Sequence, residues 1–140
     1  MRVPTDAAFL RACRREPAHP VPVWFMRQAG RSLPEYRALK GTTNILEAVA
    51  QPDLAAEITL QPVRRYGVDA AILYSDIMVP VHAIGFGVEV VAGTGPVVES
   101  PVRSAADLDR LRPLEPEVDI PYVIETVKIL TGELDVPLIG

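Results

Sequence analysis

The stretch VDAAILYSD, residues 68–76, constrains the fold more than any other in this chain. It is apolar without alternation, follows Gly67 and closes on Asp76. A short continuous run of that kind reads as a strand buried on both faces, which needs parallel neighbours and covering helices. The preceding segment supplies one such helix. From about Asn44 to Tyr66, the side chains of Leu46, Val49, Leu54, Ile58 and Val63 fall on one apolar side. Pro52 is expected to restart this helix, Pro62 to kink it and Gly67 to stop it. A further helix is expected from Pro121 to Thr131, ending at Gly132, and the closing VPLIG begins a second buried strand. Helix, buried strand, excursion, helix and buried strand in that order are βαβ-like, so the predicted class is α/β.

The excursion is expected to hold a hairpin over VEVVAGTGPVVE, residues 88–99, turning at Gly93-Thr94-Gly95. Ser104 and Asp107 have the spacing of a capping box that opens a short helix through Leu111. Near the N-terminus, Thr5 or Asp6 is expected to cap a helix bearing Phe9, Ala12 and Cys13. PAHPVPVW, residues 17–24, is excluded from helix because each proline disfavours the α region in the residue before it.

Charge narrows the range of partners. The formal net charge is −4, yet residues 1–41 hold eight basic and three acidic side chains, leaving +5 there and −9 on the rest. That asymmetry points to an anionic partner for the N-terminal third. The overall acidity and the lack of a long basic stripe argue against nucleic acid, so a small, multiply charged ligand fits better. No run of eighteen apolar residues is present, so no membrane span is expected. The N-terminus lacks a signal-peptide pattern, and Cys13 is the only cysteine, so a cytoplasmic protein without disulfide or cysteine-based metal site is expected.

The densest chemistry lies in PVWFMRQAGRSLPEYR, residues 22–37. Arg27 and Arg31 stand four apart around Gly30, where like charges oppose each other unless an anion sits between them. A guanidinium presents a planar fork that matches a carboxylate, Gly30 permits close approach, and Gln28 adds a neutral donor. Trp24, Phe25 and Met26 either press on a large flat ring or simply anchor the segment. The alternative is that both arginines are surface residues paired with Glu16 or Glu35. Asp76, at the carboxyl end of a buried strand, is placed where α/β folds carry reactive groups; the alternative is a cap on the amides that follow it. His19 and His82 lack ligand-spaced companions and read as structural.

Residues 22–37 resemble the signature of the uroporphyrinogen decarboxylase family, whose N-terminal hallmark is a PxWxMRQAGRxxPEY pattern. TLQPVRRYGVDAAILYSDIMVPVHAIGFGVEV, residues 59–90, is similar to the same family's first barrel strand and its trailing loop, and the resemblance runs from about Thr5 to Gly140. It implies a (β/α)₈ barrel of which residues 1–140 are the N-terminal segment of one domain, because such a barrel takes about 250 residues. It also implies a homodimer at full length and a cofactor-free, metal-free enzyme. The implied reaction is decarboxylation of the four acetate side chains of uroporphyrinogen III to give coproporphyrinogen III in haem synthesis. On matching positions, the resemblance gives Arg27 and Arg31 the substrate carboxylates, with Gln28, Ala29 and Gly30 shaping their loop. Asp76 then contacts the pyrrole N–H groups, and Ile45 lies in an apolar pocket wall. Ser32 departs from the aromatic residue often found in the family, and the family's later pocket residues fall beyond Gly140, so an inactive fragment is expected. Two other readings remain: a barrel relative among the cobalamin-linked methyltransferases, and a non-catalytic anion-binding fragment.

Overall fold

The computed structural model describes residues 5–26, 33–91 and 93–140. In chain order these form α1 (Ala8–Cys13), α2 (Pro34–Lys40), α3 (Ile45–Val49), α4 (Pro52–Tyr66), β1 (Ala71–Ile72), α5 (Val79–Ala83), β2 (Val88–Val91) and β3 (Gly95–Val98). A 3₁₀ turn (Ala105–Arg110), α6 (Pro116–Asp119), α7 (Pro121–Glu133) and β4 (Leu138–Ile139) follow.

Strands β1 and β4 pair in parallel, Ala71 opposite Leu138 and Ile72 opposite Ile139. The Ala71 N–H donates to Pro137 O at 2.8 Å and the Leu73 N–H to Ile139 O at 2.9 Å. The chain between them passes through the β2–β3 hairpin and returns through α7, so the α/β class and the parallel pairing are as expected, although both residues of β4 are half-buried. Pairing covers only Ala71–Ile72 of the expected strand, but burial extends beyond it: Val68, Ala70, Ala71 and Tyr74 are all inside. Consecutive buried residues, Ala70 and Ala71, mean that both faces are covered.

Helix α4 organises the interior. Asn44 and Glu47 exchange capping-box bonds at the start of α3, and Pro52 occupies the first turn of α4, where a missing N–H costs nothing. The helix continues through Pro62 and ends where Gly67 adopts φ 61°, its N–H bonding Val63 O. One side of α4 places Ala55 and Ile58 in a cluster with Ala48, Val49, Tyr74 and Val79. Another places Ala56 and Leu60 against Ala71 of β1 and Leu130 and Leu134 at the end of α7. Burying one such leucine or isoleucine stabilises the fold by about 1.5–3 kcal/mol.

Several boundaries differ from expectation. α1 begins after Ala7 with no side-chain cap, so neither Thr5 nor Asp6 serves as one. The Ser104–Asp107 box is present but opens a 3₁₀ turn ending at Arg110. α7 runs through Gly132 to Glu133, because burial of Leu130 and Leu134 holds the last turn closed with a 2.8 Å bond from the Leu134 N–H to Leu130 O. Helices α2, α5 and α6 are additional, each of seven residues or fewer and each carrying proline in its first turn. The hairpin forms as expected, Val88 opposite Val98 through Val91 opposite Gly95.

Candidate functional site

Asp76 lies beyond the C-terminal end of β1, half-buried. Its Oδ1 accepts the Met78 N–H at 2.8 Å and its carbonyl accepts the Val79 N–H at 3.0 Å, which opens α5. The carboxylate therefore caps the Met78 amide, part of the alternative considered from sequence. A carboxylate has lone pairs enough to cap with one oxygen and receive further donors on the other.

The residue that brings Asp76 to this place is Tyr74. Its N–H donates to Thr59 Oγ1 at 2.9 Å, its ring packs in the cluster with Ile58 and Val79, and its hydroxyl lies 3.2 Å from the Tyr36 hydroxyl on α2. The two rings meet edge to face with centroids 6.0 Å apart. Burial, chiefly, pushes the Tyr74 phenol far up from its ordinary pKa of 10.0, with the Tyr36 hydrogen bond and the Asp76 charge adding to it. Tyr74 thus stays protonated and acts as a neutral hydrogen-bonding group beside Asp76. Ile45, the first residue of α3, packs half-buried against this same cluster, so part of its surface is spent on the core.

Arg27, Gln28, Ala29, Gly30 and Arg31 lie outside the described residues, as does Ser32; the residues flanking them are described. On the N-terminal side, the Val23 N–H donates to Asp69 Oδ2 at 2.7 Å and the Asp69 N–H to Val23 O at 2.9 Å. Trp24 meets Phe9 of α1 edge to face at 6.3 Å, which is the anchoring role considered for it. On the C-terminal side, Leu33 is buried and Tyr36 reaches Tyr74. Val23 is therefore tied to the approach to β1, and Tyr36 to a residue just past that strand. Of the acids considered as surface partners, Glu16 pairs with Arg14 at 3.0 Å and Glu35 with Arg65 at 3.0 Å.

The histidines do not join this neighbourhood through any described contact. His82 Nδ1 sits 3.2 Å from Val88 O and lines an open cavity of about 470 Å³ with Gly87, Glu89 and Glu99 beside the hairpin. Among the described residues, neither Asp76 nor Ile45 lines that cavity. Among the described residues no three His, Cys, Asp or Glu side chains group as metal ligands, and no helix is long and apolar enough to cross a membrane. The supporting roles of Thr59, Tyr36 and Tyr74 were not evident from sequence. The available signal was a threonine in the buried stripe of α4, where a hydroxyl needs a partner.

Comparison with known proteins bears on what this arrangement serves. A family model described as uroporphyrinogen decarboxylase matches residues 4–140. The uroporphyrinogen decarboxylase of Salinispora tropica is 61% identical over 138 residues, covering 98% of this chain and 37% of that protein. That of Thermobifida fusca is 61% identical over 136 residues, covering 96% and 37%, and that of Geobacillus kaustophilus 59% identical over 133, covering 94% and 39%. The chain thus spans 37–39% of the length of these relatives.

Proposed function

The chain belongs to the uroporphyrinogen decarboxylase family, and from that premise we propose that it forms the N-terminal segment of a longer (β/α)₈ barrel that decarboxylates uroporphyrinogen III to coproporphyrinogen III. The observation that carries this reading is the 61% identity, sustained over 98% of the chain, to a protein of that name. The full-length protein then works as a cytoplasmic homodimer in porphyrin synthesis, and the present segment alone is inactive.

The chemistry suits the residues. Loss of CO₂ from an acetate arm breaks a C–C bond and releases an electron pair that needs an acceptor. Protonation of the electron-rich pyrrole carbon makes the ring cationic, and the ring takes the pair as CO₂ departs. Protonation of the resulting exocyclic methylene and loss of the ring proton leave a methyl group. In this reading Asp76 faces the pyrrole N–H groups. Its negative charge interacts more strongly with the cationic ring than with the neutral one, which is the condition for accelerating the step. Arg27 and Arg31 hold the carboxylate arms, which relieves their mutual repulsion, with Gln28, Ala29 and Gly30 forming the loop between them. Ile45 contributes apolar wall. The capping bond from the Met78 N–H to Asp76 is compatible with this assignment, because it uses one carboxylate oxygen and leaves the other for donors.

The test is incubation of the full-length protein with uroporphyrinogen III. Stepwise loss of four carboxyl groups with CO₂ release is expected. Binding without CO₂ release would favour a non-catalytic anion-binding protein. Stoichiometric zinc with no decarboxylation would favour the methyltransferase relatives.

A further inference from the structure

We propose that Thr59 is a positioning residue for Asp76, acting through the backbone of Tyr74; this rests on the functional reading given above. Successive amides of an extended chain point to opposite edges. Ala71 and Leu73 donate to β4, so the Tyr74 N–H faces away from that strand, and it is taken by the Thr59 hydroxyl at 2.9 Å. Thr59 is fully buried, and its hydroxyl donates to Ala55 O at 2.8 Å, which fixes the rotor so that its lone pair points at Tyr74. A side chain of α4 thereby completes the strand's hydrogen bonding where the ladder to β4 stops. Beyond that bond the chain turns through Ser75 to Asp76, whose Oδ1 takes the Met78 amide. Thr59 holds the Tyr74 end of this stretch to α4, and the Met78 amide fixes the Asp76 carboxylate two residues further on. Any slack at the Thr59 end is transmitted to the carboxylate, and displacements near 1 Å at a reacting centre cost about 10²-fold in rate.

The experiment compares Thr59→Val, which keeps the shape and loses the hydroxyl, with Thr59→Ser, which keeps the hydroxyl, in the full-length protein. Two readouts are taken: amide hydrogen exchange across residues 73–78, and kcat and KM for uroporphyrinogen III. The expected result is protection of Tyr74 and Met78 in the parent and Thr59→Ser. In Thr59→Val, protection is lost and kcat falls about tenfold or more at a KM within about twofold. Unchanged protection in Thr59→Val overturns the proposal, as does a loss of activity that Thr59→Ser fails to recover. A parent protein that releases no CO₂ overturns the functional reading instead, and the exchange data still judge the tether.

Discussion

Val23 and Asp69 hold each other by two hydrogen bonds, backbone N–H to carboxylate at 2.7 Å in one direction and backbone N–H to carbonyl at 2.9 Å in the other. The pair ties the residues before the arginine segment to those just before β1. Asp69→Ala removes the carboxylate bond and leaves the Val23 N–H to water, while Asp69→Asn keeps a neutral acceptor. Asp69→Ala is expected to cost about 1–2 kcal/mol in a thermal or urea melt and Asp69→Asn less than half of that. In the full-length protein, Asp69→Ala is expected to raise KM several-fold with little change in kcat if, as proposed, the arginines that follow Val23 in sequence bind the substrate arms. A drop in kcat at constant KM would show that the anchor serves Asp76 instead.

Asp76→Asn separates charge from scaffold. The asparagine carbonyl can still accept the Met78 N–H, so the end of the strand keeps its cap and only the negative charge is lost. A group that stabilises charge developing in a transition state contributes about 10²–10³-fold. Turnover is therefore expected to fall by that order while the thermal midpoint stays near that of the parent. Asp76→Ala loses the cap as well, with an expected further cost of about 1 kcal/mol in stability. Near-normal turnover in Asp76→Asn would remove Asp76 from the chemistry and leave it as a cap.

Much of this was legible in the sequence where the signal is local. The Asn44–Glu47 box and the Gly67 stop are decided by a few adjacent residues, and both are in place. Burial of Val68, Ala70, Ala71 and Tyr74 could be read from the apolar character of 68–76, and so could its pairing with a later strand. What could not be read depends on contacts far apart in the chain. Gly132 looked like a helix stop, but Leu134 packs against Ala56 and Leu60 of α4 and keeps the last turn of α7 intact. Tyr36 carries no local signal of its role, which comes from a hydroxyl 38 positions away. Of the candidate site, Asp76 and Ile45 are described and share the neighbourhood of Tyr74, whereas residues 27–31 lie outside the described part.

Gly87 offers a test of the hairpin. It adopts φ 60°, and a Cβ added there would meet Glu99 Oε2 at 2.6 Å and Glu99 Cβ at 3.1 Å. Gly87→Ala is expected to destabilise by about 1–2 kcal/mol, the left-handed backbone adding to the contact. Glu99→Ala removes the Oε2 contact but keeps the Cβ at 3.1 Å, so the double variant should recover only the Oε2 part. Chemical denaturation of the four proteins in the cycle measures the split. Full recovery would mean that neither the backbone conformation nor the remaining Cβ contact costs anything at this position.

Asp119 gives the chain a defined acid sensitivity. Its carboxylate receives Arg112 Nη1 at 2.8 Å, Arg112 Nη2 at 2.7 Å and the Glu115 N–H at 2.8 Å, while Arg112 Nη2 also donates to Ala83 O at 3.1 Å. The Arg112 hydrogen bonds, with the Glu115 amide second, hold the Asp119 carboxyl down at about 2 from its ordinary 3.8. The folded protein therefore binds this proton more weakly than the unfolded chain does. The associated stability is fully present above about pH 4 and is lost as pH falls towards about 2. Asp119→Asn abolishes the titration, so the stability gap between parent and variant is expected to narrow across that window. Asp107, also held low by the Arg103 and Ser104 amides and the Ser104 hydroxyl, titrates in both proteins and drops out of the difference. Thermal melts of the pair at about pH 5, 3.5 and 2.5 make the comparison; a gap that stays constant from the first to the last would mean that Asp119 is not held by Arg112 in solution.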